Sequence, residues 1–244
     1  MGSMYSSRQN WAQYDMQIFY EFVKQFYKVD DNNGLFLDLG ANIGTTGIYF
    51  LKKLTPNLKL LAFEPDAENF KMLRANLILN DLFEKATAEN LGLGMEEGEQ
   101  KMYRFNYNPG ANRMLANAVT ADTPTETIKI ISLDKYFEEK NLAAEDIKYI
   151  WIDTEGFEPQ VLLGAQNILR KNPAPLFMEF NPHIYKKSGF YEKLIGILNE
   201  FYSSYIFLPL TNRTNTFEIQ PLEKLWEYQN ATKQLGDIFL IKKS

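Results

Sequence analysis

The sequence predicts an α/β fold built on a doubly wound, mostly parallel seven-stranded sheet. Three observations carry this. Short apolar runs alternate with helical patterns from Leu35 onward, as in chains of strand–helix–strand units. The first run, LFLDL, breaks into a loop with glycines at 40, 44 and 47. Acids stand at or near the carboxyl ends of four runs, at Asp38, Glu64, Asp153 and Glu179. That rim is where open α/β sheets bind ligands.

The elements follow in order. WAQYDMQIFYEFVKQFYK (11–28) sets Trp11, Tyr14, Ile18, Phe22 and Phe26 at helical spacing. The stripe lacks the basic opposite face of an interfacial helix, so it is expected to pack on the domain. Met1-Gly2-Ser3-Met4 reads as a tag remnant, which makes 1–33 remnant plus packed helix and 34–244 the α/β domain. LFLDL (35–39) is a buried strand, and TTGIYFLKKL (45–54) a helix that stops before Pro56. LKLLAFEP (58–65) is the second strand; Asp66 can cap a helix in which Phe70, Leu73 and Leu77 share a face. ATAENLGLG (86–94) is a weaker strand and IKYIWID (147–153) a strong one. Pro159 can start a helix with Val161, Leu162, Ala165, Ile168 and Leu169 inward, ending before Pro173. PLFMEF (175–180) is a strand, and YEKLIGILNEFY (191–202) a helix. SYIFLPL (204–210) and DIFLIKK (237–243) finish the sheet; with no helix between them, the last is expected to run antiparallel.

One region breaks the alternation. QKMYRF (100–105) and TIKIISL (127–133) predict a β-hairpin-like insertion around 98–135. It encloses a polar stretch, 106–126, of a length that is usually functional or disordered. Asn108, Asn112 and Arg113 could bond an acceptor there if the stretch forms a lid or wall; the bland alternative is a loop without contact.

Composition excludes several classes. The 244 residues are 45% hydrophobic and 14% aromatic, which fits a globular domain with a sizeable core. No apolar run approaches the roughly 18 residues of a bilayer span, and no secretory signal is visible. Cysteine is absent, which removes disulfides, thiolate metal sites and cysteine nucleophiles and fits a cytoplasmic setting. His183 is the single histidine, so a multi-histidine zinc site is impossible. The net charge of −5 argues against a nucleic-acid-coating role. Oligomeric state is not legible.

The glycine loop selects the cofactor. A dinucleotide fingerprint needs a second glycine two residues after the first, where this chain has Asn42. Asp38 also precedes the loop, where it would repel a pyrophosphate and attract a cation. S-adenosylmethionine carries an ammonium and a sulfonium and no phosphate. Glu64, at the end of the second strand, can accept both ribose hydroxyls. The plainer roles are a strand-end acid bonding backbone N–H groups for Asp38 and a helix-entry acid for Glu64.

At these residues the sequence resembles the FkbM-type methyltransferases, a Rossmann-like class I family. DLGANIG (38–44), AFEP (62–65), IISLDKYF (130–137), IKYIWIDTEGFEPQVLLGAQNIL (147–169) and PLFMEF (175–180) carry the likeness, DTEGFE most specifically. The resemblance implies O-methylation of a small-molecule or glycan hydroxyl. It implies that Asp38, Gly40, Ala41, Asn42 and Gly44 hold the methionine half of the cofactor, with Glu64 and Pro65 at the ribose and adenine edge. Asn90 would approach the adenine, and Asp153 would lie near the sulfonium with Glu155 beside the acceptor.

Methyl transfer from a sulfonium is an in-line displacement. The enzyme aligns the acceptor and removes its proton. Asp153, Glu155 and His183 are the candidate catalytic residues, Asp153 as organiser and the other two as competing bases; a lone histidine is also common surface decoration. Glu155 and Glu158 also suit the start of the following helix simply as acids. Nothing in this chemistry requires a metal. Tyr103, Tyr107 and Trp151 could stack on a sugar or simply pack the core. Three rivals remain. NPHIY (181–185) faintly resembles the NPPY motif of nucleic-acid amino-methyltransferases but follows the wrong strand. A cofactor-binding homologue without turnover and a nicotinamide-dependent oxidoreductase are the others.

Overall fold

The computed structural model describes residues 13–105, 112, 114, 120, 122–209, 218–225, 227 and 236–243. Helix α1 (Gln13–Phe26) precedes β1 (Leu35–Leu39). Then come α2 (Thr45–Tyr49), continued by a π-helical stretch to Leu54, β2 (Lys59–Phe63) and α3 (Ala67–Leu79). β3 (Ala86–Glu89), β4 (Gly92–Leu93), β5 (Gly98–Tyr103) and β6 (Thr125–Ile131) lead to α4 (Leu133–Glu139) and β7 (Ile147–Ile152). The chain closes through α5 (Glu158–Leu163), α6 (Gln166–Lys171), β8 (Leu176–Phe180), α7 (Pro182–Lys187) and α8 (Tyr191–Phe201) to β9 (Tyr202–Pro209), β10 (Gln220–Pro221) and β11 (Gly236–Lys242).

The main sheet has the order β10-β9-β11-β8-β7-β1-β2-β3. β8, β7, β1, β2 and β3 pair in parallel, and β11 runs antiparallel to β8 and β9, as the sequence led us to expect of the last strand. The sheet has eight strands rather than seven. The eighth is β10, two residues paired antiparallel to β9, in a stretch with no apolar run to announce it. The predicted strand at 86–94 divides: β3 forms the edge of the main sheet, and β4 joins β6 and β5 in a separate three-stranded sheet. The insertion is the expected hairpin, β5 antiparallel to β6.

Period-two alternation sorts the strand residues onto two faces. Leu37, Leu39, Ile150, Ile152, Leu176 and Met178 pack one way, against α4 to α8. Phe36, Tyr149, Trp151, Phe177 and Phe239 pack the other way, against α1 to α3. Phe19 of α1 sits among Tyr149, Trp151, Phe177 and Phe239, with ring centroids 5.3–6.1 Å apart. This contact rotates α1 from its expected stripe. Met16, Phe19, Phe22 and Val23 are buried, whereas Tyr14 and Phe26 are each 43% exposed. Trp151 stacks on Phe177 at 3.5 Å and is a core residue, not an available sugar platform.

Two helices depart from expectation. The helix over 159–171 is broken at Gly164, where a Cβ would come within 2.0 Å of the Gly94 carbonyl oxygen. α4 was not legible as a helix, yet Ser132 caps it by accepting from the Lys135 N–H. Met1–Met4, Trp11, Tyr107, Asn108 and Arg113 lie outside the described residues. Among those described, no helix is long and apolar enough to cross a membrane.

Candidate functional site

β1 pairs with β2 on one side and β7 on the other, and the chain winds away from it in both directions. Such a switch point opens a crevice beyond the strand ends. Gly40 adopts φ +94°, and a Cβ there would meet the Asp153 carbonyl oxygen at 1.9 Å. Only glycine lets the β1 loop pass the end of β7 so closely. The Asp153 N–H in turn donates to the Leu39 carbonyl at 3.0 Å. Asp38 and Asp153 are thereby drawn to one crevice.

The β1 loop is built on carboxylates. Asp38 is 1% exposed, and its Oδ2 accepts from the Gly47 N–H at 3.0 Å. A Cβ on Gly47 would meet this same oxygen at 3.0 Å. Asp38 Oδ1 is buried without a hydrogen-bond partner among the described residues. Burial pushes the Asp38 carboxyl up to about 7, opposed by the Gly47 N–H. The Gly40 and Ala41 N–H groups both donate to the Phe63 carbonyl, and Gly44 takes φ +86° against Leu73.

Glu64 lies just past β2 and is buried. Its Oε2 accepts from the Asn42 N–H and its Oε1 from the Asp66 N–H, each at 2.8 Å. Asn42 holds φ +51°, so the Glu64 bond fixes a left-handed residue in the loop. Burial raises Glu64 to about 7 against these N–H groups. The Asn90 amide donates to the carbonyls of Glu64 (2.9 Å) and Pro65 (3.0 Å). Asn90 therefore ties down the loop after β2 with its amide nitrogen. Asp66 caps α3, as expected, accepting from the Glu68 and Asn69 N–H groups. Its second oxygen takes Arg104 and Asn112 of the insertion, at 3.2 and 3.0 Å.

Across the crevice lies the turn after β7. Glu155 (φ +54°) and Gly156 (φ +99°) are consecutive left-handed residues. Glu158 is fully buried beneath them. Its Oε1 accepts from Thr154 N (2.8 Å), Thr154 Oγ1 (3.0 Å) and Gly156 N (3.2 Å). Carboxylate oxygens of Asp153, Glu158 and Glu179 lie within 4.8 Å of one another. Asp237 of β11 enters from the antiparallel side, in register with Glu179. Burial, then Glu158, Asp153, Glu155 and Asp237, push Glu179 up to about 10. Asp153 is raised well above the carboxylate range by its protein surroundings, then by Glu155, Glu158, Asp237 and Asp38. Its side chain keeps solvent contact, so repulsion is the cause that weighs most.

The structure thus gathers Asp38, Gly40, Ala41, Asn42, Gly44, Glu64, Pro65 and Asn90 along the β1 and β2 ends, and Asp153 and Glu155 beyond β7. His183 is exposed in the first turn of α7, whereas Tyr185 of the same helix is buried against Glu158. Sequence reading placed Tyr185 only in the rival NPHIY motif, left Asp237 without a role and gave Glu158 only a helix-start role. The acid at the third place after DTE was the available signal for Glu158; nothing local marks the other two.

Comparison with known families matches residues 38–205 to the one described as the methyltransferase FkbM domain. Methyltransferase sdnD of Sordaria araneosa is 28% identical over 159 residues, 55% of this chain and 61% of that protein. Methyltransferase FkbM of Methylobacillus flagellatus superposes with a TM-score of 0.51 at 13% identity, covering 86% of this chain and 44% of that one. An O-methyltransferase of Bacillus cereus, solved with SAH, superposes with a TM-score of 0.51 at 13% identity, covering 94% and 80%. At these identities the structural likeness is one of fold. The chain spans about three fifths of the length of the curated relative it matches and less than half of the Methylobacillus chain.

Proposed function

The chain belongs to the FkbM methyltransferase family, and we propose that it transfers a methyl group from S-adenosylmethionine to a hydroxyl of a small molecule or sugar. The observation that carries the cofactor reading is Asp38 Oδ1, a buried carboxylate oxygen under a glycine loop with no partner among the described residues. A buried carboxylate oxygen of this kind suits an ammonium and opposes a phosphate. Asp38, Gly40, Ala41, Asn42 and Gly44 would hold the methionine half, and Glu64 and Pro65 the ribose and adenine edge. Asn90 supports that edge through the Glu64 and Pro65 carbonyls, where it would approach the adenine. When bound, the cofactor supplies a methyl group on positively charged sulfur.

The chain's own residues do the rest. Asp153 orients the acceptor hydroxyl at the switch point. Glu155, on the strained turn beside it, takes the hydroxyl proton as the oxygen attacks. We prefer Glu155 to His183 because Glu155 acts on Asp153 and Glu179, whereas His183 is exposed in the first turn of α7.

A thermal-shift titration tests the cofactor. S-adenosylmethionine and S-adenosylhomocysteine should raise the melting temperature, NAD should not, and Glu64→Ala should lose the rise. No rise with either adenosyl ligand would remove the cofactor reading. A rise would justify screening sugars and small alcohols as acceptors.

A further inference from the structure

We propose that Glu158 is a positioning residue that works as a neutral, protonated acid, giving its hydrogen to Tyr185 and holding the 154–156 turn in place. Hydrogen counting carries this. Tyr185 Oη lies 2.8 Å from the Glu179 carbonyl oxygen and 3.0 Å from Glu158 Oε2. A phenol has one hydrogen, and a carbonyl has none to give. With Glu158 ionised, one of these two contacts would be oxygen against oxygen with nothing between. The Tyr185 hydrogen on the Glu179 carbonyl and a second hydrogen on Glu158 Oε2 satisfy both. The other oxygen, Oε1, already accepts from Thr154 N, Thr154 Oγ1 and Gly156 N.

The surroundings agree. Glu158 is fully buried. Asp153 and Glu155 face the cluster from the turn, Glu179 from β8 and Asp237 from β11, all of them acids. Burial favours the neutral form of Glu158. The spacing of Asp153, Glu158 and Glu179 alone would suit a divalent cation. Glu158 has both oxygens committed, however, which leaves that trio one ligand short. The other oxygen builds the turn: through Oε1, Glu158 clamps Thr154 and Gly156 on either side of Glu155, which holds its left-handed conformation between them.

What the turn is for rests on the methyl-transfer reading, but the proton does not. The test is therefore infrared difference spectroscopy of the full chain at pH 8, wild type against Glu158→Gln, in H2O and D2O. Melting temperatures of wild type, Glu158→Gln and Glu158→Ala, with and without Mg²⁺, accompany it. Glutamine mimics a protonated carboxyl: its oxygen accepts and its amide donates. We expect a protonated-carboxyl band, shifted in D2O, that Glu158→Gln removes. Glu158→Gln should melt at or above the wild type, and Glu158→Ala below it. The proposal falls if that variant leaves the band unchanged or melts as low as Glu158→Ala. It falls also if Mg²⁺ raises the wild-type melting temperature and not that of Glu158→Gln. Failure of the cofactor reading would appear separately, as no response to S-adenosylhomocysteine.

Discussion

Cofactor affinity should depend on pH through Asp38. In the free protein burial holds this carboxyl at about 7, against an ordinary 3.8. Its folded pKa is raised, so the associated stability is present below the ordinary value and is lost as pH rises through 7. At pH 8 that cost is about 4 kcal/mol. A bound ammonium reverses the preference. Roughly a tenth of the protein carries ionised Asp38 at pH 6 and roughly nine tenths at pH 8, so binding should tighten about tenfold, near 1.4 kcal/mol. At pH 7 binding should release about half a proton. Calorimetric titration with S-adenosylhomocysteine, in buffers of different ionisation enthalpy, reads both quantities. Asp38→Asn should weaken binding by about 1.5–3 kcal/mol, remove this slope and leave the free protein more stable at pH 8. Glu64 also sits at about 7, and Glu64→Gln separates its share. A dissociation constant flat from pH 6 to 8, or the same slope in Asp38→Asn, would refute the reasoning.

Three further outcomes follow from the same geometry. Gly40→Ala forces a side chain onto φ +94° and into the Asp153 carbonyl; it should cost roughly 3 kcal/mol or more and lower the melting temperature by roughly 6–12 °C. Arg104→Ala leaves the buried Asp66 without its cation but with Asn112 and two helix N–H donors; a loss of about 1–2 kcal/mol is expected in urea unfolding, and an unchanged midpoint would deny the insertion a structural tie to the cofactor edge. With an acceptor in hand, Glu155→Ala should lower kcat about a hundredfold while the dissociation constant for S-adenosylhomocysteine stays within about twofold, and His183→Ala should change neither. The opposite ranking would make His183 the base.

Much of the architecture was legible because its causes are local. Short apolar runs such as LFLDL, LKLLAF and IKYIWID are enough to place strands, and Asp66 before an apolar helical face is enough to place a cap. Gly40 and Gly44 take the left-handed conformations that the loop needs. What failed depends on partners distant in sequence. The buried face of α1 was misjudged because its sequence is apolar over a broad arc, and only the rings of Tyr149, Trp151, Phe177 and Phe239 select Phe19. NPHIYKK is too short for periodicity to show which side faces inward, so the eye falls on His183 when Tyr185 is the buried one. Asp237 joins the acids only because β11 is antiparallel and in register with Glu179.

The four rim acids were read from the sequence on one ground, their position at strand ends, yet they are of two physical kinds. Asp38 and Glu64 accept backbone N–H groups of the loops they organise, Gly47 for one, Asn42 and Asp66 for the other. Asp153 and Glu179 instead face acids, and they share those neighbours with Glu158 and Asp237. The two halves meet through Asp38, whose charge is among those that raise Asp153. Two ionised carboxylates so close oppose each other, so the free protein holds protons on this rim near neutral pH. A cation at Asp38 removes part of that opposition. We therefore expect cofactor binding to ease ionisation of Asp153 as well as of Asp38, which makes half a proton a lower bound in the calorimetric count. On the proposed reading, the acid placed at the mouth of the glycine loop would link the two halves of the site: it would attract the donor, and its neutralisation would ready Asp153 to orient the acceptor.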